Sequence, residues 1–342
     1  MDKRVIFAVA GSGKTTYIVD NLCLNKRAIV LTYTTNNYEN LKDGIIKRWG
    51  YIPSNISVMT YFNFLYSYCY KPVLSYRYSA GGINWKPNPN LYEPLAKRSH
   101  FIDAKNRLYS NRIAKLLIHE KVDHLVVERL EKFCDSIYID EIQDFGGNDF
   151  NLLRVIASAK INVLFVGDFY QHTYDTSRDG STNGSLHNSY GMYQAQFRSM
   201  GLTIDTTTLV KSHRCNPEIC EFITKQLGIH IESNRTDKSM WYVISMENEA
   251  EKLFKDSNVV KLFYDEHLAY KCFSNNWGAS KGLDNYSDVC VVMNRNSWKH
   301  LEDGILHKLK PGTKNKLYVA ISRTKGNLYF VPDFIYKDYK IG

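Results

Sequence analysis

A doubly wound α/β fold is the architecture this sequence predicts, and three observations predict it. Short apolar runs recur along the chain, each followed by a segment with helix-like, amphipathic spacing. The first run leads directly into a glycine-rich turn, Ala10-Gly-Ser-Gly-Lys14. A later run, Ser136 to Ile139, ends in two adjacent carboxylates, Asp140 and Glu141. Sheets of this kind collect their functional residues at the carboxyl ends of their strands, which is where both features fall.

Taken in order, Val5 to Ala8, Ala28 to Thr32, Ile56 to Met59, Ser136 to Ile139 and Val163 to Gly167 read as buried parallel strands. Between Tyr70 and Cys134 the alternation gives way to a turn-rich opening, Gly81-Gly-Ile-Asn-Trp-Lys-Pro-Asn-Pro89. Basic, helix-like stretches such as Lys105 to Arg112 follow, so residues 71–134 read as a small helical insertion. The Gly- and Ser-rich piece from Asp179 to Gly191 reads as a flexible linker or exposed loop. A second α/β unit is expected to start near Thr203, with strands at Trp241 to Ser245, Asp288 to Met293 and Asn327 to Val331. The expected domains are therefore 1–200 and 201–342.

Length and composition agree with that division. The 342 residues are 44% hydrophobic and 13% aromatic, enough for two cores and unlike a disordered chain. A net charge of +9, with 25 Tyr and 16 Phe interleaved among Lys and Arg, suits a nucleic-acid backbone whose bases stack on rings. The seven cysteines form no CxxC pair and no zinc-like spacing with histidine. They read as buried thiols of a reducing cytosol, so a cytoplasmic location is expected. No run of about 18 apolar residues is present, and no membrane association is expected.

Two motifs carry the chemistry. Phe7-Ala-Val-Ala-Gly-Ser-Gly-Lys-Thr-Thr16 reads as a phosphate-binding loop, although Ala8 stands where the general pattern has glycine. Backbone N–H groups from Ala10 through Gly11, Ser12 and Gly13 to Thr16 can curl about phosphate, Lys14 can reach the β- and γ-phosphates, and Thr15 can hold Mg²⁺. Asp140 can bind the same Mg²⁺ directly or through water, while Glu141 can polarise the water that attacks the γ-phosphate. Together they predict ATP hydrolysis with ATP and Mg²⁺ as cofactors.

Six further segments follow in order: Leu31-Thr-Tyr-Thr-Thr-Asn36, Met59-Thr-Tyr-Phe-Asn-Phe64, Val166-Gly-Asp-Phe-Tyr-Gln-His-Thr-Tyr174, Leu209-Val-Lys-Ser-His-Arg-Cys215, Gly278-Ala-Ser-Lys-Gly-Leu-Asp284 and Leu317-Tyr-Val-Ala-Ile-Ser-Arg-Thr-Lys325. With the phosphate loop and Asp140-Glu-Ile-Gln-Asp144, they resemble the UvrD/Rep-like superfamily 1 DNA helicases over nearly the whole chain. That resemblance implies two RecA-like P-loop domains with ATP bound between them. It implies that Gln171 senses the γ-phosphate, that His213 packs on adenine, and that Arg214 and Arg323 reach the phosphates. Gly282 and Asp284 fall in the motif that links the nucleotide to DNA. Thr32, Tyr33, Thr60, Phe62 and Tyr174 fall at DNA-contacting positions.

The departures are specific. His213 stands for the family's usual Tyr, Gly278 for its His and Asp284 for its Glu, and the adenine-reading Gln that usually precedes the loop has no counterpart. Only about 65 residues separate Arg214 from Lys281, where larger relatives insert a substantial domain, so the chain reads as a compact core. The resemblance implies movement along single-stranded DNA, 3′ to 5′, with a single- to double-strand junction as substrate. The alternative reading is a DNA-stimulated ATPase or sensor subunit that acts with a protein partner, from repair or a phage system, such as a nuclease.

Overall fold

The computed structural model describes residues 1–173 and 179–341. They divide into two compact units. One comprises Met1–Phe7, Lys14–Gly167 and the described part of Tyr174–Asp205; the other comprises Ala8–Gly13, Asp168–Thr173 and the described part of Thr206–Gly342.

The first unit is built on β1 (Lys3–Phe7), α1 (Lys14–Asp20), β2 (Ala28–Thr32), α2 (Thr35–Trp49) and β3 (Ile56–Thr60). Then come α3 (Tyr61–Asn63), a π-helical stretch (Phe64–Tyr70), α4 (Lys71–Tyr78), β4 (Ile83–Asn84), β5 (Leu108–Tyr109), α5 (Ile113–His119) and α6 (Asp123–Phe133). It closes with β6 (Ser136–Ile139), α7 (Gly147–Ser158), β7 (Asn162–Gly167), α8 (Tyr190–Ser199) and β8 (Thr203–Asp205). Six strands pair in parallel in the order β3-β2-β6-β7-β1-β8. Every residue of β2 is buried, as a central strand covered on both faces requires. Phe7, Phe150, Tyr193 and Phe197 lock α7 and α8 against β1, with ring centroids 5.0–6.1 Å apart.

The second unit contains β9 (Lys211–Ser212), α9 (Pro217–Phe222), β10 (Glu232–Ser233), β11 (Trp241–Val243), α10 (Glu247–Lys255), β12 (Val259–Phe263) and β13 (Ser274–Asn276). It continues through β14 (Asp288–Met293), α11 (Arg295–Glu302), α12 (Pro311–Ile321) and β15 (Leu328–Pro332). Its five-stranded parallel sheet runs β11-β15-β14-β12-β13. The two-residue period of the strand is visible in its packing. Val289, Val291 and Met293 of β14 enter one apolar layer with α9 and α12, while Cys290 and Val292 enter the other, with α10.

The predicted α/β class with parallel sheets flanked by helices is the fold observed. Several local expectations are corrected. Thr203–Asp205 forms β8, which pairs with β1 at the edge of the first sheet, and the long segment of the second unit runs from Thr206. The first strand ends at Phe7, one residue before the expected Ala8. Lys105 to Tyr109 is not helical, because Asp103 accepts the N–H groups of Lys105 and Arg107 and Asn106 turns through φ +59°, after which the chain forms β5; only Ser110–Arg112 turns into a short 3-10 helix. The insertion accordingly carries a two-stranded β4/β5 ladder beside its helices. The segment after Asp179 is largely exposed, as one of the two expectations for it had it, and is anchored at several points. The Asp179 carboxylate pairs with Arg112 and Lys115, Asn183 donates to the Gly147 carbonyl at 2.7 Å, and Leu186 is buried.

All seven cysteines are unpaired, and six of them are buried or half-buried. Among the described residues, no helix is long and apolar enough to cross a membrane.

Candidate nucleotide and nucleic-acid site

In the first unit, Lys14 opens α1 and Thr15 follows it. The Thr15 hydroxyl donates to Asp140 Oδ2 at 3.5 Å. Asp140 is held in place from two sides: its own N–H donates to the Leu31 carbonyl at 2.8 Å, and its Oδ1 accepts the N–H of Glu141 at 2.9 Å. Glu141 then turns through φ +54°, a left-handed conformation uncommon for a side chain of its size. Gln143, fully buried, donates its amide to Glu141 Oε2.

The turn after β6 is fixed from below. Tyr193 donates its hydroxyl to the Ile142 carbonyl at 3.1 Å. Gly167, at the end of β7, lies so close that a Cβ there would collide with the Gln143 side chain and with Ile142. This is a close-approach glycine, not a turn glycine.

Two of the expected nucleic-acid residues of this unit, Tyr33 and Phe62, meet in one aromatic cluster. Tyr33 stacks on Tyr61 at 5.8 Å and meets Phe62 edge-on at 5.3 Å and Phe145 at 5.5 Å. Tyr33 and Phe62 are half-buried, and Phe62 touches the exposed Trp85. Thr60 is the N-cap of α3, its hydroxyl accepting the Asn63 N–H at 3.3 Å. Thr32 is fully enclosed at the end of β2, so its side chain is not presented at the surface. Tyr174 lies outside the described residues.

The second unit contributes its own set, and the glycine-rich turn counts with it. Gly11 and Gly13 adopt φ of +71° and +81°. At Gly11 a Cβ would stand 2.8 Å from both Arg214 Cβ and Ser212 Oγ, so glycine is demanded twice over. The Gly11 carbonyl accepts the His213 N–H at 2.8 Å, and Ser12 donates its hydroxyl to the Val9 carbonyl at 2.8 Å. Ala10, expected to offer its N–H to phosphate, donates it instead to the Tyr318 hydroxyl at 2.8 Å. Tyr318 in turn donates to Asp168 Oδ2 at 3.0 Å. Asp168 also caps the turn that carries Gln171, accepting the Tyr170 N–H at 3.1 Å. Tyr318 and Asp168 lie inside motifs visible in the sequence, but nothing in their spacing reveals that they meet.

Arg214, Arg323 and Asp284 form the charged part of this set. Arg214 pairs with Asp284 and donates to the Ser322 carbonyl at 3.0 Å. Arg323 is almost wholly buried, donates to the Leu283 carbonyl at 3.1 Å, and lies 3.6 Å from the same Asp284 oxygen. Burial, and secondarily the neighbouring Arg214, pull the Arg323 guanidinium down to about 10 against the partial support of Asp284. Two cations thus share one exposed carboxylate, an arrangement that an anionic group can enter. His213 is exposed, its ring against Asn234 at 2.9 Å, and Gly282 is exposed beside Leu283.

No protein-family model matches this chain, and neither does any curated protein. Among solved structures it is similar to the arterivirus nonstructural protein 10 (helicase) in its complex with DNA, with a TM-score of 0.51 and 13% identity over 99% of this chain. It is equally similar to a crystal structure of arterivirus nonstructural protein 10, with a TM-score of 0.51 and 12% identity, again over 99%. The chain spans 63% and 62% of those two proteins. At such identity the likeness is one of fold: these helicases and this chain share their α/β architecture.

Proposed function

We propose that this chain is an ATP hydrolase that couples turnover to movement along single-stranded DNA, in the manner of the UvrD/Rep-like superfamily 1 helicases. The observation that carries this reading is the meeting of Thr15 with Asp140, residues far apart in sequence, at 3.5 Å. A hydroxyl and a carboxylate beside a phosphate loop are hard oxygen donors of the kind Mg²⁺ takes, and Thr15 and Asp140 would hold it. Bound there, the ion would neutralise charge on the transferring phosphoryl group.

The chain's own residues divide the remaining work. Lys14 and the backbone of Gly11, Ser12, Gly13 and Thr16 hold the phosphates; Glu141, steadied by Gln143, takes the proton of the attacking water. Gln171 reads the γ-phosphate, Arg214 and Arg323 supply charge to the transition state, and His213, Gly282 and Asp284 complete the nucleotide contacts. The DNA track runs over Tyr33 and Phe62, with Thr60 and Thr32 as its support and Tyr174 as its continuation. Movement 3′ to 5′ and preference for a single- to double-strand junction belong to the same proposal. The fold likeness to a helicase solved with DNA supports it.

The test is steady-state ATP hydrolysis by the whole chain, alone and with single-stranded DNA, duplex DNA and single-stranded RNA, with Lys14→Ala as blank. Stimulation by single-stranded DNA that the variant lacks is the expected result. Turnover by Lys14→Ala equal to wild type would overturn the assignment. One observation favours the variant reading, an ATPase working with a protein partner. Strand β11 ends its sheet with Trp241, Tyr242 and Val243 all more than 40% exposed. Unwinding of a forked duplex by the chain alone would dispose of it.

A further inference from the structure

Trp85 is 64% exposed, yet its ring is not loose. It meets Phe62 edge-on, with centroids 4.8 Å apart and planes at 84°. The backbone on either side is pinned. Asn84 donates to Asp103 Oδ2 at 2.9 Å and accepts the Lys86 N–H at 3.0 Å, an Asx turn that encloses Trp85. Asn88, buried, donates to the Ser99 carbonyl at 2.8 Å and accepts the Asn90 N–H at 2.9 Å. Pro87 and Pro89 stiffen the intervening tip. An indole that served only packing would bury more of its surface; this one is held rigidly with most of its ring in water.

The charge carried by the tip itself is mainly positive. Residues 84–98 carry Lys86, Lys97 and Arg98 against a single carboxylate, Glu93, which Ser99, Asn90 and Lys97 already engage. The ring also continues a row: Tyr33 lies 5.3 Å from Phe62, and Phe62 lies 4.8 Å from Trp85. A rigid aromatic face beside cations, in line with other rings, is the recognition chemistry of unpaired bases and their phosphates.

We propose that Trp85 stacks on a base of single-stranded nucleic acid, with Lys86 beside the adjacent phosphate, extending the track of Tyr33 and Phe62 onto the insertion. The inference rests on the reading of the chain as a single-strand translocase. Trp85→Ala, Trp85→Phe and the control Trp241→Ala, an exposed indole of the second unit, are compared with wild type by anisotropy titration of a fluorescein-labelled thymidine oligonucleotide. Thermal unfolding of each is followed in parallel. Trp85→Ala should bind about 5- to 150-fold more weakly, Trp85→Phe should recover most of the affinity, and Trp241→Ala should match wild type. Trp85→Ala binding as tightly as wild type overturns the proposal. So does equal weakening by Ala and Phe with a lowered unfolding midpoint, which would make the ring structural. If wild type itself binds no single strand, it is the translocase reading that fails.

Discussion

Glu141 stands at φ +54° because the turn after β6 is determined by its neighbours: Gln143 grips its carboxylate and Tyr193 holds the next carbonyl. Glu141→Gln keeps the shape and removes the carboxylate proposed as base, so on that proposal turnover should fall by about 10²- to 10⁴-fold while nucleotide still binds. Single-turnover hydrolysis beside titration of a fluorescent nucleotide checks this, and activity within a few-fold of wild type would refute the role. Tyr318 offers a second test. Removing its hydroxyl in Tyr318→Phe strands the Ala10 N–H and takes one donor from Asp168, at a cost of about 1–3 kcal/mol for a buried group. Chemical denaturation should show that loss, and an unchanged midpoint would mean that the network contributes nothing. That Thr15 and Asp140 come together was legible from motif spacing. The diversion of the Ala10 N–H to Tyr318 was not, because a hydrogen bond across 308 residues leaves no local pattern.

Secondary-structure elements were legible where apolar runs were unbroken and illegible where a polar residue is buried with partners. Val259–Phe263 was missed because Lys261 interrupts it; in the fold its ammonium bends back to the Asp256 and Val259 carbonyls at 2.6 and 2.8 Å, and the strand is buried throughout. Asp179 was illegible in the same way: the Gly- and Ser-rich stretch it opens is largely exposed, as its composition reads, but the carboxylate itself is not. Instead its carboxylate meets the Arg112 Nε at 3.1 Å and Lys115 Nζ at 2.7 Å, with Arg112 almost wholly buried. Asp179→Asn would leave that guanidinium without its counter-charge and should destabilise the first unit by about 3–5 kcal/mol. Burial opposes the ionised form of Asp179, but Lys115 and Arg112 outweigh it and hold the group below its ordinary value. Its folded-state value being depressed, its stabilisation is present above the unfolded carboxylate range and is lost as pH falls through the folded value. Urea midpoints of wild type and Asp179→Asn should therefore converge in acid and differ most near neutrality. A constant difference across pH would show that the pair does not act electrostatically.

For the molecule as a whole, composition gave the charge but not its use. A surplus of nine positive charges would favour any polyanion, and 41 Tyr and Phe side chains would favour packing as readily as stacking. What separates the two contributions is salt. Contacts to phosphates release counterions, so each lowers the slope of log K against log salt by about 0.7 for a single strand, whereas stacking on rings such as Tyr33 and Phe62 contributes to affinity with little slope. If both operate, single-strand affinity should fall with a slope of roughly −2 or steeper, the signature of about three or more phosphates, and still retain measurable binding at high salt. Removal of a ring should then lower affinity at every salt concentration without changing the slope, while removal of a lysine should flatten the slope by about 0.7. Titrations of wild type, Tyr33→Ala and Lys86→Ala from low to high salt distinguish these outcomes. A slope near zero would mean that the positive charge serves solubility rather than a nucleic-acid track, and a Tyr33→Ala line that coincides with wild type would remove the aromatic cluster from the binding surface.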